Sequence, residues 1–141
     1  MILIDTHCHF AAADFATDRD ALAAAAGAAG IQAMVVPAVD VASFAEVRAC
    51  CARYSACAAA FGIHPLYVRH ASESDLKRLR ECLADALAGP DRPVAVGEIG
   101  LDFFVTDPGV ERQEHFFTEQ LKIARETGLP VLLHVRRAID Q

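Results

Sequence analysis

What this chain lacks narrows its class before any motif is considered. It has no excess of basic residues. The net charge is −6 and the isoelectric point about 5.4, so no global positive field draws in nucleic acid. That argues against a non-catalytic nucleic-acid binder but does not exclude an enzyme whose metal ions receive a phosphate. No basic stretch followed by an apolar run of signal-peptide length stands at the N-terminus, and no apolar run is long enough to span a membrane. A soluble, cytoplasmic chain with no membrane partner is expected. Five cysteines, Cys8, Cys50, Cys51, Cys57 and Cys82, fall in no CxxC or zinc-knuckle spacing. They read as small apolar core residues in a reducing compartment. There is no GxSxG elbow, dinucleotide fingerprint or phosphate-cradling glycine loop, and Gly97-Glu98-Ile99-Gly100 is not such a loop. No linker, low-complexity segment or charge block divides the chain.

What is present is a regular alternation. The 141 residues suffice for one domain with a real core, and a hydrophobic share of 54% is too high for a disordered chain. Short apolar runs predict strands over Ile2–His9, Ala33–Val39, Ala58–Ile63, Val94–Ile99 and Val131–Val135. They lack strict alternation, as strands buried on both faces do in parallel sheets. Helical patterns lie between them. Asp18–Ala29 closes at Gly30, and Ser43–Tyr54 follows the second strand. Ser72–Leu87 places Leu76, Leu79, Leu83 and Leu87 on one stripe. Pro108–Thr127 opens on a proline suited to a first turn, stops at Gly128, and offers Phe117, Leu121 and Ala124 as an apolar face.

The order β-α-β-α-β-α-β-α-β, with right-handed crossovers, leaves an α/β fold of two kinds: a small open sheet or the first part of a (β/α)8 barrel. A closed barrel takes ~250 residues. The motifs favour the barrel, with its first five strands and four helices present, as a single, apparently truncated domain over residues 1–141.

The chemistry-bearing residues gather at strand ends. In a strand, side chains two apart share a face, so His7 and His9 project together, with Leu3 and Asp5 below them. Two imidazoles so held are half of a metal site. Isolated HxH pairs recur by accident, but here ligand-type residues end other strands as well, where parallel α/β folds build their sites. Glu98, inside an apolar strand, is costly unless satisfied. Either an arginine such as Arg48 or Arg112 pairs with it, or it bridges two cations with its two oxygens. Gly97 and Gly100 leave room around it. His134 ends the fifth strand. Imidazole and carboxylate together suit Zn²⁺, Mn²⁺ or Fe²⁺. His64, before Pro65, is a turn histidine, a support to a metal ligand, or a contact to a substrate phosphate. Asp102 orients a histidine or caps a turn. Asp5 supports the His7/His9 pair or bonds to backbone. His70 and His115 read as surface or packing residues.

Taken together, Ile4-Asp5-Thr6-His7-Cys8-His9, Gly62-Ile63-His64-Pro65 and Val96-Gly97-Glu98-Ile99-Gly100-Leu101-Asp102 resemble the TatD family of metal-dependent deoxyribonucleases. Arg112-Gln113 through Phe117, Gln120-Leu121, and Leu129-Pro130-Val131 through His134-Val135-Arg136 extend the resemblance over essentially the whole chain. It implies a TIM-type barrel that hydrolyses phosphodiester bonds in DNA with two divalent ions (Zn, Mg or Mn). It also implies that His7 and His9 hold one ion, Glu98 bridges, His134 holds the second, and His64 lies near the substrate phosphate. Glu98 and His64 are the catalytic candidates, with Asp5 and Asp102 as supports. The family's later histidine and water-activating aspartate have no counterpart here, so the chain by itself is expected to turn over little or not at all.

Two other readings stay open. An amidohydrolase-type enzyme shares the HxH and the barrel, but many of its two-metal members bridge through a modified lysine on the fourth strand, which here carries Glu98. Alternatively the chain is a non-enzymatic fragment that self-associates through open strand edges.

Overall fold

The five apolar runs become parallel strands that pair side by side in chain order. In this computed structural model, which describes residues 1–141, they are β1 (Leu3–Asp5), β2 (Ile31–Pro37), β3 (Cys57–Phe61), β4 (Ala95–Asp102) and β5 (Val131–Arg136). Helices α1 (Arg19–Ala28), α2 (Phe44–Arg53), α3 (Glu73–Ala88) and α4 (Val110–Thr127) alternate with them. A doubly wound sheet reverses its order at a switch point, whereas a barrel adds each strand beside the last. The unbroken order 1-2-3-4-5 is therefore that of a partial (β/α)8 barrel.

The core lies between the middle strands and their helices. Val36, Phe61, Val96 and Ile99 of the sheet pack with Val47 of α2, Leu76, Leu79 and Leu83 of α3, and Phe116 and Ile123 of α4. The expected leucine stripe of α3 is buried except at Leu87, which is half-buried. The expected face of α4 is off by a fraction of a turn. Its buried stripe is Gln113, Phe116, Gln120, Ile123 and Ala124, while Leu121 is exposed. Two glutamines on that stripe disguised it. The helix also begins later than expected, because Gly109 (φ 60°) turns the chain after Pro108. Cys50 lies in the core and the other four cysteines are half-buried, all of them free. No helix is long and apolar enough to cross a membrane.

Strand limits differ where side chains intervene. β1 ends at Asp5, not His9, because the Asp5 carboxylate accepts the His7 backbone N–H at 3.1 Å and turns the chain. Cys8 N–H then donates to the Val35 carbonyl at 2.9 Å, keeping the loop against β2. β4 runs on to Asp102 and β5 to Arg136, so Glu98 and His134 stand within strands rather than at their ends. The space at the two glycines of β4 is also used differently from the expectation. A Cβ at Gly97 would stand 2.9 Å from the Leu132 carbonyl oxygen, and one at Gly100 (φ +139°) would overlap the His134 carbonyl. The glycines admit the backbone of β5, and through it they set the distance between Glu98 and His134.

Candidate metal centre

A carboxylate in the middle of a fully buried strand must find compensation, and Glu98 is 3% exposed. Neither suggested arginine supplies it. Arg48 donates to the Cys82 carbonyl at 2.7 Å, and Arg112 to the Val68 carbonyl at 2.7 Å. Only imidazoles surround the carboxylate. Its Oε2 lies 3.0 Å from His7 Nε2 and 3.2 Å from His9 Nε2, and those two nitrogens are 3.2 Å apart. Its Oε1 lies 3.0 Å from His134 Nδ1 and 3.6 Å from His64 Nε2, which are themselves 3.1 Å apart. Leaving the strand for a loop thus does not separate His7 from His9. The Asp5 turn brings both rings over β4.

The hydrogen bonds around the rings assign their protons. His64 is 7% exposed and its Nδ1 accepts the Leu66 backbone N–H at 3.1 Å. A neutral imidazole accepting at one nitrogen carries its proton on the other. The His64 proton therefore sits on Nε2, facing the Glu98–His134 pair. His134 places one nitrogen 3.0 Å from Glu98 and the other 3.0 Å from Asp102 Oδ2. A neutral ring has one proton for two carboxylates. With His64 donating toward Nδ1, that proton belongs on Nε2 and goes to Asp102. The fully buried Asp102 also accepts the Phe104 backbone N–H at 3.0 Å. It thus contacts His134 and caps the turn.

Two features of this arrangement fit a cation. Glu98 Oε2 is buried yet receives no well-directed hydrogen bond, despite two nitrogens within 3.2 Å. Oε1 meets an unprotonated His134 Nδ1, lone pair against lone pair. The spacing also fits. Donors about 2.1 Å from a shared cation stand about 3.0 Å apart at right angles and about 3.4 Å apart in a tetrahedron. The His7–His9–Glu98 triangle, with edges of 3.0, 3.2 and 3.2 Å, falls in that range. His64 does not complete a second triangle, since its site-facing nitrogen is a donor.

The electrostatics agree. Burial works to raise the Glu98 pKa, but His9, His64 and His7 outweigh it and the pKa is held at about 2, so it stays ionised. Burial pushes His64 down to about 4 against the pull of Glu98, keeping it neutral. The Glu98 contact raises His9. His70 and His115 take no part. His115 pairs at the surface with Glu73 at 2.7 Å, and neither is among the donors that converge.

Two residues with no role read from the sequence hold the frame. Gln120 accepts the Ile63 N–H at 2.7 Å and donates to the Ile63 carbonyl at 3.1 Å, fixing the backbone beside His64. Gln113 grips the Asp102 N–H and carbonyl at 2.7 and 3.0 Å. Both are 1% exposed. Their signal was helical spacing: glutamines seven apart on a stripe otherwise filled by Phe116 and Ile123.

The chain is similar to the uncharacterized metal-dependent hydrolase YjjV of Escherichia coli, with 43% identity over 138 residues, 98% of this chain and 52% of that protein. The crystal structure of YjjV superposes with a TM-score of 0.91. The 3'-5' ssDNA/RNA exonuclease TatD of Cronobacter sakazakii is 37% identical over 136 residues, 96% of this chain and 50% of that one. A TatD family hydrolase from Entamoeba histolytica, 18% identical, shares the fold with a TM-score of 0.87 over 99% of this chain and 52% of its own. The chain spans about half the length of the curated relatives it matches. The family model described as TatD related DNase matches residues 4–141, and the chain belongs to that family.

Proposed function

We propose that residues 1–141 form one unit contributing the first half of a two-metal phosphodiesterase site that acts on DNA or a related phosphodiester, in the cytoplasm, where its five free thiols stay reduced. The observation that carries this reading is the single buried carboxylate with each oxygen turned to a different set of imidazoles. His7, His9 and Glu98 would hold one divalent ion, and Glu98 with His134 would supply donors to another; Zn, Mg and Mn are the candidates. Such ions, when bound, polarise a phosphoryl oxygen and lower the pKa of a water.

The chain's own residues then have distinct tasks. Glu98 places negative charge between the two donor sets and stays ionised across the neutral range. Asp102 fixes the His134 tautomer so that Nδ1 keeps its lone pair. Asp5 holds the backbone of His7. His64 Nε2–H is a donor aimed into the site, suited to a non-bridging phosphate oxygen, where it opposes the charge that builds during attack. A carboxylate in place of a fourth-strand lysine favours this reading over an amidohydrolase, and a DNA substrate assayed against a cyclic amide separates the two. The exposed apolar side chains of the flanking strands, Ile4 at 63% and Val135 at 51%, also give this chain a surface for self-association.

Calorimetric titration of the chelated chain with Mn²⁺ or Zn²⁺ tests the site. Glu98→Gln should weaken binding by more than about 100-fold, beyond the ~10–100-fold loss typical of an outer support. His70→Ala and His115→Ala should leave it unchanged. Equal losses in all three would mean that the ligands lie elsewhere. A labelled oligonucleotide assay with Mg²⁺, Mn²⁺ or Zn²⁺ measures turnover, which should be slow because the chain offers few donors per ion.

A further inference from the structure

A cavity of about 330 Å³ opens directly beside the site, between the loops that follow β1, β2 and β3. It is at the small end of the ~300–1,000 Å³ typical of ligand clefts. His9 and His64 form one wall, and Ala11, Pro37, Val39 and Val47 give it an apolar lining. Three further residues bring polar atoms. The Ser43 hydroxyl is already consumed: it donates to the Asp40 carbonyl at 2.7 Å and accepts the Val39 and Asp40 N–H groups. Glu46 is free to accept. Its nearest cation, Arg19, stands 3.9 Å away and donates instead to the Ala11 and Ala12 carbonyls at 2.9 Å each. Tyr67 is 43% exposed, and its ring stands edge-on to His64 at 6.1 Å and 88°.

We propose that this cavity is a nucleobase subsite: a base of a single strand stacks on Tyr67, and Glu46 selects bases that present an exocyclic amine. The assignment rests on the phosphodiesterase reading, because it places the base beside the phosphate that His64 meets. An exposed aromatic ring at the edge of an apolar cleft is the usual platform for an unpaired base. A carboxylate accepts hydrogen bonds only, so it pairs with the N4 amine of cytosine and opposes the O4 carbonyl that thymine presents there.

The test is fluorescence anisotropy with labelled phosphorothioate dC8 and dT8, in Mn²⁺, on the full chain and four variants. The unmodified chain should prefer dC8 by about fivefold. Tyr67→Ala should weaken both oligonucleotides about tenfold, while Tyr67→Phe, which keeps the stacking face, should stay within about twofold. Glu46→Gln should erase the preference for dC8 while keeping affinity for dT8. If Glu98→Gln loses binding and Tyr67→Ala does not, the subsite is wrong and the metal-site reading stands. If Tyr67→Ala loses binding and Glu98→Gln does not, the subsite stands and the metal-site reading is wrong. Binding of neither oligonucleotide by the unmodified chain would overturn the subsite, and the metal titration would then decide the metal-site reading separately.

Discussion

The middle and the flanks of the sheet are built from similar apolar residues and live in different surroundings. All eight residues of β4 are buried, and the inner half of β3 with them. In β1 and β5 the apolar side chains are largely uncovered: Leu3 is 38% exposed, Ile4 63%, Leu133 46% and Val135 51%. Yet the candidate site is shared between these regions. Glu98 belongs to the middle and His64 follows β3, whereas His7, His9 and His134 come from the flanks. The middle can position its groups by packing. The flanks position theirs through backbone register, in the β4–β5 ladder and the Asp5 turn. Stability and site geometry therefore draw on different contacts, and substitutions can separate them.

The sharpest break is at the seam between the two regions. Gly100 has φ +139°, and an added Cβ would overlap the His134 carbonyl on β5. Both the backbone conformation and the overlap oppose any side chain, with no flexible neighbour to yield. Gly100→Ala should cost more than about 3 kcal/mol and move His134 away from Glu98. Urea unfolding measures the first effect and metal titration the second. A small loss of stability with intact metal binding would mean that β5 is not held by this close approach.

A smaller effect is expected inside the middle region. Gln120→Ala leaves the Ile63 N–H and carbonyl buried without partners, a loss of about 2–3 kcal/mol. Gln120→Glu keeps the bond from the Ile63 N–H but turns a buried carboxylate toward the Ile63 carbonyl, so it should cost at least as much as the alanine. Because Ile63 precedes His64, the alanine variant should also disorder that ring, which the loss of the His64 imidazole NMR signals would report. An unchanged unfolding midpoint would show that water replaces the glutamine.

Glutamines mark the limit of what the sequence made legible. Element order and type were readable because the apolar runs and helical stripes are strong local signals. The convergence of His7, His9, Glu98 and His134 was readable because these ligand-type residues recur in, or just after, strands of one parallel sheet, although Glu98 and His134 stand within their strands rather than at the ends. What escaped depends on contacts distant in sequence. β1 stops at Asp5 through a side-chain hydrogen bond to His7 N–H, although the run to His9 looks continuous. The buried face of α4 was misplaced because Gln113 and Gln120 count as polar until their strand partners are known. Gly97 and Gly100 look in the sequence like space for Glu98, but the backbone of β5 fills it.

At the flank itself, polar substitution should be nearly free. Leu133 is 46% exposed, so Leu133→Lys should change the stability of the chain by less than about 0.5 kcal/mol. It should nonetheless reduce self-association, since a charged residue on an exposed strand blocks edge pairing. Sedimentation velocity across a concentration series reads this. A stability loss comparable to that of Gln120→Ala would show that β5 is packed as the middle strands are.

The smallest expected effect at neutral pH lies on the helix side of β3, where the thiols of Cys51 and Cys57 are pushed up to about 12, chiefly by burial and then by neighbouring thiols. In the unfolded chain such thiols ionise near 9. Between about pH 9 and 12 the unfolded state therefore releases protons that the folded state retains, and stability falls as pH rises. Below pH 9 both states hold the proton, and these thiols contribute no slope. Urea midpoints of the chain should be level from pH 7 to 8.5 and decline toward pH 10.5. Cys51→Ala combined with Cys57→Ala should flatten part of that decline, and the same two thiols should react slowly with Ellman's reagent at pH 8. Because this region lies away from the imidazole cluster, the double variant should bind metal like the unmodified chain. A decline as steep in the double variant would assign the alkaline loss to other groups, and fast labelling of both thiols would show that the helix side of β3 opens as readily as the flanks.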